Sequence, residues 1–586
     1  MTFNKYFQDE LSYLRELGRE FSAANPKLAP FLGEGGNDPD VERLLEGFAF
    51  LSGRLRQKLD DDLPELTHGL IQLLWPHYLR PVPSMSILQF QPIAGAISES
   101  IPIPMGVEVN SVPVEGTPCR FRTCYDVQLA PIELASAKLD RTTAGATLSL
   151  DFALQPGNSA ERLGLESLRL YLHGEPAMSR GLYLWMTRYV ESIRVKSAGS
   201  DGQSFELPVN SVRPAGFDDS EALLPYPPNA FSAYRLLQEY FALPEKFLFL
   251  DIQGLQPLRD FRMSERFQIE FAFARAPDES IRPRAENFRL FCTPIVNLFA
   301  NDGDPIRVDQ TKAEYRVRPS GKEPGHTELY SIDSVDGWVQ GSGKRRTYER
   351  FESFRHDGAG KEENGAIFYR TRVTPAAVGR GLETYIAFVD GSDRPDVPPT
   401  ETISLQLTCT NRNLPEKLRA GEIATPTGST PEFAKFRNLI SGRPSSTPPL
   451  GAGLHWQLIS NMSLNYVSML RIEALRAILA AYDFRAMQDR KAERESKLRL
   501  EGLVSIKSEP VDLLRGGLPV RGLRTQIEMR ESNFADEGDM YLFASVLNEF
   551  LSLFASINSF HELIVHGIEQ GETFRWPAKS GQQLVL

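Results

Sequence analysis

Apolar residues near the start of the chain recur in steps of three and four, at Phe3, Phe7, Leu11, Leu14, Leu17 and Phe21. That spacing gathers them on one stripe of an α-helix, which should stop before Pro26. Asn37-Asp38-Pro39, a capping residue followed by proline in the first turn, announces a second helix. Its apolar face runs through Val41, Leu44, Leu45, Phe48, Leu51, Leu55 and Leu59, and Pro64 marks its end. A short helical stretch from Leu66 to Trp75 leads into Trp75-Pro76-His77-Tyr78-Leu79-Arg80-Pro81. The prolines there block further helix, and the aromatics need burial or a partner.

From about Ser84 to Phe273 the texture changes to short alternating runs divided by Pro and Gly, such as Met85 to Phe90 and Phe267 to Phe273. Period-two alternation predicts strands, with one helical interruption from Phe231 to Tyr240 after the turn-rich Pro225 to Asn229. A second strand-and-turn region begins at Cys292-Thr293-Pro294-Ile295-Val296-Asn297-Leu298-Phe299 and runs to the alternating Ile403 to Cys409. Arg419 to Gly453, rich in Pro, Ser, Thr and Gly, reads as a linker. Beyond it the pattern predicts a strand at Leu454 to Ile459, a helix at Val467 to Tyr482 and strands at Leu503 to Ile506 and Leu523 to Met529. A helix at Met540 to Ile557 and a strand at His561 to His566 follow. The charged stretch Arg485 to Glu501 mixes both signs. The expected fold is a multidomain α+β chain: a helical N-terminal region over 1–82, β-rich domains over 83–285 and 286–430, and a C-terminal α+β domain over 431–586.

Length and composition agree with several domains, because 586 residues exceed what one hydrophobic core supports. The formal net charge of -11 disfavours a phosphate backbone as main partner. Four scattered cysteines, Cys119, Cys124, Cys292 and Cys409, make no disulfide framework and suit a reducing, cytoplasmic compartment. The opening residues lack the pattern of a signal peptide, and no run approaches 18 apolar residues, so neither secretion nor membrane insertion is expected.

Motifs that would carry catalysis fall short of what the chemistry needs. His561-Glu562-Leu563-Ile564-Val565-His566 is near a zincin signature, but histidines five apart lie about 140° from each other on a helix and on opposite faces of a strand. Gly337 to Lys344 is near a phosphate loop, yet the first glycine sits one position early and Arg345 replaces the magnesium-binding hydroxyl. Cys119 and Cys124 lack a second pair to complete a zinc site. Asp333, Asp336, Asp390 and Asp393 lie beside glycines and serines, as turn aspartates do, and no G-x-S-x-G elbow is present. No catalytic set, metal or cofactor is therefore expected, and the chain reads as non-enzymatic.

Two N-terminal runs, Glu10-Leu11-Ser12-Tyr13-Leu14-Arg15-Glu16-Leu17-Gly18 and Asp38-Pro39-Asp40-Val41-Glu42-Arg43-Leu44-Leu45-Glu46-Gly47-Phe48-Ala49-Phe50-Leu51, closely resemble the TssF (VasA/ImpG) family. That family supplies baseplate subunits of bacterial type VI secretion systems. Leu74 to Pro81, Cys292 to Phe299, Phe554 to Phe560 and Arg575-Trp576-Pro577 match as well, while Ser136 to Arg284 matches in order alone. The resemblance implies a wedge component that assembles with TssG, TssK and a second TssF copy, and with TssE and VgrG, at the base of a contractile sheath. It also implies a cytoplasmic site beside the membrane-docked apparatus.

Phe3, Phe7, Leu14, Leu17 and Phe21 are the candidate helical contacts, and the same stripe could instead pack on the chain's own second helix. Trp75, His77, Tyr78 and Trp576 are candidate docking anchors, with ordinary core packing as the alternative. Two rival functions remain at this level: a β-rich hydrolase, which needs two opposed acids in a cleft, and a glycan-binding module using exposed aromatics.

Overall fold

The computed structural model describes residues 7, 11, 14, 43–52, 64–450 and 471–581, with breaks at 144, 198–202, 228–229, 262–264, 280, 310, 322, 341–344, 352–366, 377–380, 391–399 and 516–517. The chain divides into two units, Met1–Leu73 with Leu450–Ile459, and Leu74–Pro449 with Ser460–Leu586. In the first unit residues 7, 11 and 14 are helical and half-buried, and 43–52 form a helix. Phe3, Leu17, Phe21, Val41, Leu55 and Leu59 lie outside the described residues. Helix α1 (Pro64–Leu74) ends one residue before the predicted Trp75.

At the centre of the second unit is an antiparallel sheet ordered Ala434–Asn438, Met85–Pro92, Cys292–Val296, Thr117–Thr123, Glu108–Val114. The first six residues of Met85–Pro92 are all buried, as a strand covered on both faces must be. Among the described residues up to Leu290 there are two further large sheets and a two-stranded one, Ile101–Ile103 with Val127–Leu129. One large sheet runs Ser204–Leu207, Val190–Ser197, Arg266–Phe273, Gly145–Leu154, Ile132–Thr142, and the other Val212–Ala215, Phe249–Gln253, Ser167–Leu172, Phe288–Leu290. Arg266–Phe273 alternates faithfully, with Phe267, Ile269, Phe271 and Phe273 inward.

Between Phe299 and Thr410 two sheets share one core of Phe299, Val335, Tyr369, Ile386, Ile403, Leu405 and Leu407, among others. This module returns through Glu401–Thr410, and the following segment re-enters the central sheet as the edge strand Ala434–Asn438. The predicted linker is thus corrected: over 419–450 the chain is packed, with Ala434, Phe436 and Asn438 inward. Asn438 fixes the bend, donating to Arg419 and Ile440 carbonyls and accepting from the Ile423 amide.

Two helices interrupt the strands, α2 (Pro176–Arg188) and α3 (Ala233–Ala242); only the second is predicted from the sequence. After α4 (Ile472–Tyr482), the charged stretch forms α5 (Arg490–Glu501), capped by the Asp489 side chain on the Lys491 and Ala492 amides. A hairpin, Leu503–Arg515 with Leu518–Met529, then leads through α6 (Glu537–Ser552) to Phe560–Gly567, which pairs parallel with the hairpin's second strand. A parallel neighbour requires such a crossover.

Helix α6 is buried nearly all round, so it needs cover on every side. It packs on α2, α3 and Phe560–Gly567, drawing the C-terminal elements and the middle of the chain into shared packing. At its first turn Arg180 of α2 pairs with Asp539 at 2.7 Å. A Cβ on Gly538 would stand 2.6 Å from the Arg180 backbone carbonyl. Gly538→Ala is therefore expected to wedge α2 from α6 at a cost of about 1–3 kcal/mol, seen as faster amide exchange in both helices and unchanged exchange in Phe299–Thr410.

Candidate partner-binding elements

Of the predicted N-terminal contact residues, Phe7 and Leu14 are helical and half-buried, and Phe3, Leu17 and Phe21 lie outside the described residues; the second predicted helix adds a further apolar face. In the helix over 43–52, Ala49 is fully buried and Leu45 half-buried, whereas Leu44, Phe48 and Leu51 are 73%, 60% and 63% exposed. Steps of four and three place those three on one face. Of the apolar face predicted for this helix, Leu44, Phe48 and Leu51 face solvent. A row of three large apolar side chains on one helix face is the form taken by helix-in-groove anchors.

The Trp75-to-Pro81 connector serves the chain's own core. Pro76–Leu79 is a 3-10 turn with every residue buried. The His77 ring lies 2.6 Å from the Tyr226 hydroxyl and 3.3 Å from that of Tyr482, through Nε2. Tyr78 donates to the Ala481 carbonyl at 3.0 Å and sets its ring edge-on to Tyr482 and Phe484. Trp75 is half-buried, and Trp576 stacks on Tyr541 of α6 at 5.2 Å. Core packing, the alternative weighed above for these aromatics, describes His77, Tyr78 and Trp576.

The motifs set aside above are placed as follows. His561 and His566 sit on strand Phe560–Gly567, five apart and so on opposite faces; one is buried on Thr525, the other is bonded to Thr573. Gly337 lies in strand Glu328–Val339, and 341–344 lie outside the described residues. All four cysteines are buried and unpaired; burial pushes Cys119 up to about 11 and Cys124 and Cys409 to about 12. Asp333 accepts from Ser331 and Thr408, and Asp336 pairs with Arg345 at 2.9 Å, which holds its carboxyl low. Asp390 ends strand Leu382–Asp390, and Asp393 lies outside the described residues. Among the described residues no three metal-ligating side chains converge.

Burial drives the His561 pKa down to about 4 and pulls that of His77 well below its ordinary value. An unfolded histidine takes a proton near pH 6.5, whereas His561 in the fold stays neutral until about pH 4. On acidification the unfolded chain gains a proton that the folded one refuses. Stability therefore falls between those values by about 1.4 kcal/mol per pH unit on account of His561, and His77 acts in the same direction. His561→Asn is expected to lessen the acid-induced loss between pH 6.5 and 5 by about 2 kcal/mol, read from amide exchange of Phe560–Gly567. An unchanged pH slope would contradict the neutral, buried assignment.

Sequence reasoning missed the buried charge centre behind α3. Glu239 and Lys246 are both fully buried and paired, and burial pulls the Lys246 pKa down. Glu239 also accepts the Leu223 and Leu224 amides at 2.8 and 3.0 Å, tying the loop before α3 to the helix. Arg235, one turn earlier, reaches Asp219 at 2.9 Å.

Comparison with known proteins places these features in a family. The sequence model for "Type VI secretion system, TssF" matches residues 1–583. The type VI secretion system component TssF1 of Pseudomonas aeruginosa is 33% identical over 625 aligned positions, covering 99% of this chain and 98% of the relative. A chain of the TssK-TssF-TssG baseplate subcomplex, solved by cryo-electron microscopy, superposes with a TM-score of 0.78 at 31% identity, covering 93% of this chain and 99% of that one. A chain of the type VI baseplate complex gives a TM-score of 0.63 at 28% identity, with both chains covered in full.

Proposed function

The chain belongs to the TssF family of type VI secretion systems, and from that premise we propose that it is a non-catalytic wedge subunit of the baseplate. In this reading it assembles with TssG and TssK, in two copies per TssG, beside TssE and around the VgrG hub. It holds the spike and carries the rearrangement that releases sheath contraction. Its place is the cytoplasmic side of the apparatus; among the described residues no helix is long and apolar enough to cross a membrane. The observation that carries the reading is the match over 93% of the chain to a chain of the TssK-TssF-TssG subcomplex. The exposed Leu44, Phe48 and Leu51 supply a surface on which such an assembly can form.

The test is co-expression with TssG and TssK from the same genome, followed by affinity purification and native mass spectrometry. A complex holding more of this chain than of TssG is expected. A lone monomer under the same conditions would defeat the wedge reading.

A further inference from the structure

A cavity of about 890 Å³ opens in the second unit between strand Thr117–Thr123, the loop before α3 and the end of α6. Its walls combine apolar side chains, Leu223, Tyr226, Phe231 and Leu553, with two arginines, Arg122 and Arg235. Arg122 differs from the arginines beside it in how it is satisfied. Arg120, two residues earlier and on the same strand face, pairs with Glu108 at 3.4 Å and lies 4.7 Å over the Phe299 ring. The Arg122 guanidinium has neither a hydrogen bond nor an ion pair among the described residues. Arg235 is 3% exposed, and its buried Nε has no hydrogen-bond partner. Glu239, 3.9 Å from that Nε, is already committed to Lys246 and to two amides. Asp219, the one acid on the wall, takes Arg235 at 2.9 Å although its own side chain is 73% exposed, and Arg235 also donates to the Asp218 and Asp219 carbonyls at 3.5 Å.

The half-buried Arg122 guanidinium, on a wall of apolar side chains and beside an Arg235 that Asp219 already takes, calls for an anion, and arginine matches a carboxylate with two parallel hydrogen bonds. We propose that this cavity is a docking pocket for an extended segment of a partner protein that presents a carboxylate flanked by apolar residues. The volume lies toward the upper end of small-ligand pockets, which suits several residues of peptide better than a free anion. Polyanionic nucleic acid fits poorly, because the chain as a whole is acidic. This inference rests on the baseplate reading, since the segment is sought in the chains that assemble with this one.

Met105, 58% exposed at the rim, is the place to read the pocket. It is replaced by the photo-crosslinker benzoylphenylalanine in the full chain co-expressed with TssG and TssK. The complex is verified by native mass spectrometry, irradiated and digested. The expected product joins Met105's position to a partner peptide in which Asp or Glu stands beside apolar residues. Arg122→Glu is expected to lower its yield at least about tenfold, and Arg122→Lys, which keeps the charge but not the paired donors, to lower it less. An intact complex whose crosslinks stay within this chain, reach a peptide without acid, or ignore Arg122→Glu would overturn the pocket and leave the baseplate reading standing. Failure of the three chains to assemble would overturn both.

Discussion

Glu239→Ala is expected to open the loop before α3 and to raise amide exchange at Leu223 and Leu224 by two orders of magnitude or more. Three losses coincide at that carboxylate: the ion pair to Lys246 and the two amide hydrogen bonds. Breaking a buried pair by removing one partner costs about 3–5 kcal/mol, because the remaining charge stays buried without compensation. Lys246 can escape that cost by giving up its proton, and burial already pulls its pKa down in the intact pair. Unfolded lysine keeps its proton to about pH 10.4. In the variant the folded state therefore binds fewer protons than the unfolded one, and its stability rises with pH toward that value. The defect is expected to shrink from pH 7 to pH 9. Glu239→Gln separates the two contributions, since its carbonyl can still accept the Leu223 and Leu224 amides while the charge is gone. Adding Lys246→Met to Glu239→Ala should recover part of the loss, leaving two orphaned amides at about 1–3 kcal/mol each. Exchange in Glu239→Ala close to that of the parent chain would mean that the pair contributes nothing to the fold.

Much of the architecture is legible in local pattern, and what is missed has identifiable causes. Alternation finds Arg266–Phe273 and Glu401–Thr410 because each keeps one face on a core throughout. Helix α3 is found from its turn-rich lead-in and its apolar spacing. Helix α2 is not, since Leu182, Tyr183, Leu184 and Trp185 are consecutive and all buried, which erases the helical period; Pro176 at its first position is the surviving signal. Helix α5 hides for the opposite reason: its buried side consists of Ala492 and Ser496, too small to mark a face, and Asp489 at its cap is the legible clue. Ala434–Asn438 alternates correctly but is submerged in Pro, Ser, Thr and Gly, and its pairing partner Met85–Pro92 lies more than 300 residues away. The Glu239–Lys246 pair and Arg122, without an ion pair among the described residues, are equally invisible in sequence, because their surroundings are set by elements brought in from elsewhere.

The helix over 43–52 offers the second test, in which docking and folding are read at adjacent positions. Phe48 is 60% exposed and Ala49 fully buried, so the two side chains answer different questions although they are neighbours in sequence. Phe48→Glu places a charge where water already is, and the chain is expected to fold as before. In a complex whose interface covers the Leu44, Phe48 and Leu51 face, the same substitution removes the burial of a large apolar side chain, about 1.5–3 kcal/mol. It also forces a carboxylate into an apolar groove, where it lacks a partner. The expected outcome is at least a thirtyfold loss of affinity for the partner subunits, taking about 2 kcal/mol as the lower bound, with a purified chain that is more soluble than the parent. Leu44→Ser combined with Leu51→Ser should reproduce the loss without introducing charge. Ala49→Asp is expected instead to disturb the helix itself, lowering its amide protection before any partner is added. A Phe48→Glu chain that enters the TssG and TssK complex at parental stoichiometry and affinity would remove this face from the interface.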